Sequence, residues 1–220
     1  MSLSQNSIKS VSWAVREIRE SVDELLEKLE KKELYLPHLE KITSEHRKKE
    51  WLSVRILLKE ILGEEKTISY TSSGKPYLSD NSYQISISHT KGYVAVILHP
   101  QLSVGIDIEY ISPRVQKIRS RFMSDEEELH LDKTLEEVHL LLHWSAKESL
   151  FKILGEENVD FKTELHISPF KPVVNQLAEF SAYETKSKKR GQYDFQYLVT
   201  KEYVLTFTAS SLPCRQYCLG

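Results

Sequence analysis

Val104-Gly105-Ile106-Asp107-Ile108-Glu109 alternates between two kinds of residue with a period of two. The pattern predicts a strand whose Ile106 and Ile108 enter a core while Asp107 and Glu109 project together from the other face. Two carboxylates held that close repel unless a cation joins them. Hard oxygen ligands so placed suit magnesium, which keeps some of its waters and adds substrate phosphates. A half-exposed strand with a polar outer face shows the same alternation, so this stretch by itself leaves both meanings open.

Working back toward the N-terminus, β-branched and aromatic runs at Ile68 to Tyr70, Tyr83 to Ser88 and Tyr93 to Leu98, separated by turn residues, predict further strands beside this one. A helix is expected to start near Ser44, bury Trp51, Val54, Leu58, Ile61 and Leu62, and stop at Gly63. Before it, Val11, Trp13 and Val15 alternate as a strand does, and Ser21-Val22-Asp23-Glu24 has the form of a capping box for a helix running to about Leu29.

Toward the C-terminus, helical periodicity covers about Ser124 to Leu131 and, more strongly, Leu135 to Leu154. Strands are then expected around His166, Glu179 to Tyr183, Phe195 to Val199 and Val204 to Ala209. In each half a helical stretch precedes several strands. The expected fold is therefore α+β: two similar subdomains, residues 1–112 and 113–220, related by a pseudo-twofold axis, each with a mostly antiparallel sheet packed on a long helix and the active site at their interface.

Within the longest helix, Trp144, Glu148 and Phe151 share a stripe at i, i+4 and i+7. A carboxylate among such neighbours needs a metal ion or Lys152, one turn later, to stay ionised. A plain i,i+4 Glu-Lys surface pair is the alternative, worth only about 0.3 kcal/mol. His139 and His143 have zinc-ligand spacing but lack the glutamate of the His-Glu-x-x-His pattern, and a zinc site is discounted.

The chain of 220 residues is 40% hydrophobic, enough for a sizeable core, and carries a formal charge of −2, which gives nucleic acid no bulk attraction. No apolar h-region opens it and no window approaches a bilayer span, which predicts a cytoplasmic protein without membrane contact. Cys214 and Cys218 fit neither a redox Cys-x-x-Cys nor a zinc pair and are expected to be reduced thiols. The basic run Lys186 to Arg190 beside Gly191 is expected as a solvated hairpin tip. Neither a Walker-type phosphate loop nor a Gly-x-Ser-x-Gly elbow occurs, which disfavours a P-loop nucleotidase or a serine hydrolase.

The combination of Gly105-Ile106-Asp107-Ile108-Glu109 with Trp144-Ser145-Ala146-Lys147-Glu148-Ser149-Leu150-Phe151-Lys152 resembles the two signature motifs of the 4'-phosphopantetheinyl transferase superfamily, G-[IV]-D-x-E and W-[ST]-x-K-E-[SA]-x-x-K. Upstream, Gly74-Lys75-Pro76-Tyr77 and Ile85-Ser86-Ile87-Ser88-His89-Thr90 resemble two further motifs of that family, with Ser86 where many relatives have asparagine. The likeness is to the longer, single-chain, surfactin-synthetase-activating type and extends from about Arg47 to Lys152.

The resemblance implies an enzyme that moves the phosphopantetheine arm of coenzyme A onto a serine of an acyl or peptidyl carrier protein, releasing adenosine 3',5'-bisphosphate. It implies Asp107, Glu109 and Glu148 as ligands of Mg2+, with Mn2+ an acceptable substitute, and Glu148, second to its ligand role, as acceptor of the serine proton. Lys152 is implied on the pyrophosphate, and Arg47, Lys75, Ser88 and His89 at the nucleotide end of coenzyme A; Lys147 is expected to point elsewhere. Arg114, Lys117, Arg119 and Arg121, ending at Phe122 and Met123, are the candidate docking surface for an acidic carrier helix. A monomer is expected. Another magnesium-dependent phosphotransferase or phosphohydrolase using the same acids, or a noncatalytic coenzyme A-binding regulator, are the competing readings.

Overall fold

The computed structural model describes residues 11–188 and 190–211. The first residues, Lys189, and Cys214 with Cys218 lie outside that range. Mixed helix and sheet is what the alternation predicts, and all three sheets are antiparallel: β1 (Ser12–Glu17), β5 (Tyr93–His99) and β4 (Gln84–Thr90) in the order β1-β5-β4; β6 (Ser103–Tyr110), β10 (Tyr203–Ser210), β9 (Gln192–Val199), β8 (Leu177–Glu184) and β7 (Leu165–Ile167) in the order β6-β10-β9-β8-β7; and a small ribbon of β2 (Ile68–Tyr70) with β3 (Pro76–Leu78).

Six α-helices, α1 (Val22–Glu27), α2 (Lys32–Lys41), α3 (Glu45–Leu62), α4 (Arg119–Phe122), α5 (Asp125–Leu129) and α6 (Glu136–Leu154), and a 3-10 helix at Pro113–Lys117 complete the described elements. Ser21 and Glu24 form the expected capping box of α1, each side chain satisfying the other residue's backbone N–H. The Ser44 hydroxyl accepts from the Arg47 N–H at the start of α3, and Gly63, at φ +76°, ends it in the left-handed conformation. Helix α2, strand β3, α4 and the 3-10 helix at Pro113–Lys117 were not expected. Helix α2 carries Pro37 in its interior and leaves Leu34 and Leu36 exposed, so neither period nor breaker rules point to it. Strand β3 sits where Gly-Lys-Pro reads as a turn.

The layers follow from strand alternation. Val94, Val96 and Leu98 of β5 pack with Val54, Leu57 and Leu58 of α3, while Ala95 and Ile97 turn to the opposite face. There they meet Val104, Ile106 and Ile108 of β6 and Leu205 and Phe207 of β10, and Trp13 packs at a tilt on Phe207 with ring centroids 4.8 Å apart. The other face of the five-stranded sheet is covered by α6 through Leu142, Ala146, Leu150 and Ile153. Each long helix thus lies on the outer face of its own sheet, and the two sheets are of unequal size.

Strand β6 is the joint. Its ladder runs to β10, with Asp107 opposite Thr206 and Glu109 opposite Val204. On its other side it abuts β4, where serine and threonine hydroxyls stand in for a ladder. Ser86 Oγ accepts from the Ile106 N–H at 3.3 Å, and Thr90 Oγ1 from the Tyr110 N–H at 3.0 Å. The matching offsets of these two bonds make β4 and β6 run in the same direction. Ser86, in the position where relatives of the motif have asparagine, therefore makes a polar contact across this seam.

Candidate functional site

Because Ile106 and Ile108 are committed to the core, Gly105, Asp107 and Glu109 all face α6. Gly105 explains how close the helix comes: a Cβ there would stand 2.3 Å from the Ser149 carbonyl oxygen. Bare backbone on the strand lets α6 lie almost in contact with β6. Ser145 Oγ then reaches the Asp107 carbonyl at 3.1 Å and Thr206 Oγ1 at 2.9 Å, and Ser149 Oγ donates to the Thr206 carbonyl at 3.3 Å. These hydroxyls fix the helix's register against the acidic strand.

That register delivers the acids to one place. Asp107 Oδ1 accepts from Ser88 Oγ and from Lys152 Nζ, each at 2.8 Å, while Lys152 Nζ also donates to the Ile106 carbonyl at 2.9 Å. Lys152 thus pairs from α6 to Asp107 on β6. Glu109 Oε1 accepts from Trp144 Nε1 at 2.7 Å. Burial and the neighbouring Asp107 push both remaining acids up: Glu109 to about 7, with Glu148 adding to the effect, and Glu148 likewise to about 7.

Two half-buried carboxylates whose proton affinity is raised beside Asp107 mark a site short of positive charge. Asp107 Oδ2 sharpens this, because it is buried and has no hydrogen-bond partner among the described residues. An orphaned, buried anionic oxygen beside two crowded acids is the donor set a hard divalent cation satisfies. Among the described residues, no group of three or more His, Cys, Asp or Glu is already drawn into ligating geometry. The fit therefore rests on chemistry and charge.

A second cluster adjoins on the other side of β4. His89, next to Ser88, places Nε2 3.0 Å from Arg47 Nη1 and Nδ1 3.4 Å from Glu50 Oε1. Glu50 is buried on α3, and it also meets His46 Nε2 at 2.9 Å and Arg47 Nη1 at 3.2 Å. Burial lowers the His89 pKa, Glu50 opposes this, and Arg47 and Lys152 add to the lowering, so Lys152 is near enough to link the two clusters. Lys75 stands at the end of the β2–β3 turn, its backbone N–H donating to Thr71 Oγ1 at 3.1 Å. Ser88 and Lys152 are brought directly to Asp107, Arg47 and His89 to each other, and Lys75 to a neighbouring turn.

Sequence reasoning missed Glu50 and gave Trp144 only an apolar part. Glu50 is marked in hindsight by its place three and four residues after Arg47 and His46 in an otherwise cationic run. Lys147 does point elsewhere. It is fully buried, donating to Glu127 Oε2 at 2.8 Å and to the carbonyls of Phe122 and Phe161 at 2.6 and 2.9 Å.

The basic segment after β6 is divided between the fold and solvent. Arg119 is paired with Glu128 and, at 3.0 Å, with Glu136, and Phe122 and Met123 are buried in the core. Arg114, Lys117 and Arg121 stay exposed, so Arg119 and the apolar end belong to the fold while three cations face solvent. Between this segment and the loop at Phe161 lies an open cleft of about 330 Å³, lined by Ile118, Arg121, Trp144, Val159, Asp160 and Phe161.

The histidine pair on α6 is not a zinc site. His139 Nδ1 accepts from the Asp132 N–H at 3.0 Å, which leaves the proton on Nε2, and His143 Nδ1 lies 2.9 Å from the His139 carbonyl. His139 therefore offers a donor where a metal needs a lone pair. No helix among the described residues is long and apolar enough to cross a membrane.

Residues 103–208, from the start of β6 into β10, match the family model of the 4'-phosphopantetheinyl transferase superfamily. No curated protein is significantly similar to the chain.

Proposed function

From that superfamily domain and the acids it encloses, we propose that the chain transfers 4'-phosphopantetheine from coenzyme A to a serine of an acyl or peptidyl carrier protein and releases adenosine 3',5'-bisphosphate. The observation that carries the proposal is the buried, unpartnered Asp107 Oδ2 beside Glu109 and Glu148, with Lys152 already on Asp107. Asp107, Glu109 and Glu148 would hold Mg2+, or Mn2+ in its place. When bound, the ion supplies positive charge to the pyrophosphate of coenzyme A.

The chain's own residues do the rest. The serine oxygen attacks the phosphorus that bears the pantetheine arm, and the bond from that phosphorus to the bridging oxygen breaks. The bridging oxygen leaves with adenosine 3',5'-bisphosphate. Glu148, whose proton affinity lies near neutrality, is the residue placed to take the serine proton. Lys152, held to Asp107 and the Ile106 carbonyl, presents a fixed cation to the developing charge. Trp144 holds Glu109 in orientation through its indole N–H.

Arg47, Lys75, Ser88 and His89 receive the nucleotide end of coenzyme A, and the cleft beside Trp144 admits the carrier's serine. Residues 1–112 and 113–220 are proposed as pseudo-twofold subdomains with β6 between them, in the longer surfactin-synthetase-activating arrangement, acting as a cytoplasmic monomer. The test is incubation with coenzyme A, Mg2+ and an apo carrier protein, followed by mass spectrometry. The carrier should gain one phosphopantetheine, and Glu148→Gln should abolish the gain without unfolding the protein. A wild type that binds coenzyme A yet never modifies any of several carriers would make it a regulator.

A further inference from the structure

We infer that Glu50 is a positioning residue: its buried carboxylate ties Arg47 and His89 into one phosphate-recognising edge. The inference rests on the proposal that the chain binds coenzyme A, and it concerns the 3'-phosphate, which takes no part in bond breaking.

Glu50 is 5% exposed, and a carboxylate that far from water is costly unless partnered. Its partners come from two elements. His46 and Arg47 lie on its own helix α3, and His89 comes from β4. Arginine donates only, so the 3.0 Å contact between Arg47 Nη1 and His89 Nε2 assigns the lone pair to Nε2 and the proton to Nδ1, facing Glu50. Without ligand the three side chains close a ring.

The outer atoms of that ring are open. The side chains of Arg47 and His89 are 60% and 41% exposed, against 6% for Glu50. A phosphate dianion arriving there offers acceptors to the free N–H groups of Arg47. His89 can then take a proton from solvent onto Nε2 and donate it to the phosphate, while Nδ1–H remains on Glu50. The buried carboxylate balances the imidazolium so formed and keeps the ring edge aimed outward. Remove its charge, and two cations face each other with nothing between them.

Glu50 could instead serve only to hold α3 against β4. The two roles differ in one measurable ratio, the affinity for coenzyme A over 3'-dephospho-coenzyme A. We expect wild type to prefer coenzyme A in isothermal titration. Glu50→Gln should weaken coenzyme A binding about tenfold or more, since a charge-assisted hydrogen bond is lost, while dephospho-coenzyme A changes by less than about twofold.

Glu50→Asp keeps the charge but withdraws it from His89, and should lower the ratio by a smaller factor, giving a readout should the glutamine variant fold poorly. A ratio unchanged in either folded variant, or a wild type that binds the two ligands equally, overturns the inference. Intact discrimination by wild type with no carrier modification would sink the transfer reaction and leave Glu50's role standing.

Discussion

Replacing Gly105 with alanine adds one methyl group where α6 lies against β6. The new Cβ would stand 2.3 Å from the Ser149 carbonyl oxygen and 2.9 Å from Ile153 Cγ1. The first of these belongs to helix backbone and cannot rotate aside. Restoring ordinary contact at about 3.4 Å requires strand and helix to part by about 1.1 Å. Overpacking of this kind costs about 1–3 kcal/mol. For a chain of this size that lowers the melting temperature by roughly 2–4 °C per kcal/mol.

The functional effect should be larger than the thermal one. The same parting would carry the 2.8 Å Lys152–Asp107 and 2.7 Å Trp144–Glu109 contacts beyond hydrogen-bond range, because each bridges α6 and β6. Misplacement by about 1 Å costs on the order of 10²-fold in rate. The assay is carrier modification, with thermal melting in parallel. Gly105→Ala with unimpaired transfer and melting would refute the close-approach argument. Melting lowered while transfer stays normal would refute its link to the site.

Trp144→Phe keeps the tilted ring contact with Phe122 but deletes the donor to Glu109, and should cut Mg2+ affinity about 10–100-fold, read by titration calorimetry. Lys147→Met leaves Glu127 buried without its cation and should cost about 3–5 kcal/mol in urea unfolding, with transfer by the folded protein at low temperature largely kept. Glu109 and Glu148 both sit at about 7 without a cation, so Mg2+ must displace protons near neutrality. Its affinity should rise from pH 6 to pH 8, with buffer-dependent proton release; a flat profile would contradict their crowding.

His139, buried and next to His143, is pushed down to about 4 from an ordinary 6.5. The fold holds it neutral, so its destabilising effect is absent above about pH 6.5 and grows as the pH falls toward 4, reaching at most about 3 kcal/mol. His139→Asn, which keeps an acceptor for the Asp132 N–H, should flatten the loss of stability between pH 6.5 and 4.5 in urea titrations.

The acidic strand was legible because its period of two is a purely local signal, and α3 was legible through Ser44 and Gly63. What escaped depends on partners distant in the chain. The cations of 114–121 look free in sequence, yet Arg119 finds Glu128 and Glu136 only once α4, α5 and α6 are packed together. Glu50 gains meaning from His89, which β4 brings up from 39 positions away. Lys152 has Glu148 and Glu156 each four positions away in sequence, but the closeness permitted by Gly105 hands it to Asp107. Helix α2 was hidden by Pro37 and by having only Tyr35 and Leu39 buried.

The row of hydroxyls between β4 and β6 has a consequence for how the molecule breathes. The Ile106 and Tyr110 amides are protected across this row by single rotatable side chains, whereas the opposite edge of β6 is laced backbone to backbone. A hydroxyl can trade its partner for water at little cost, so this line is where the protein can part without unravelling either sheet. Deuterium should therefore reach the Ile106 and Tyr110 amides sooner than those in the β10 ladder. Such an opening would separate Ser88 from Asp107 first, so the fold's most easily parted joint runs beside the candidate metal site.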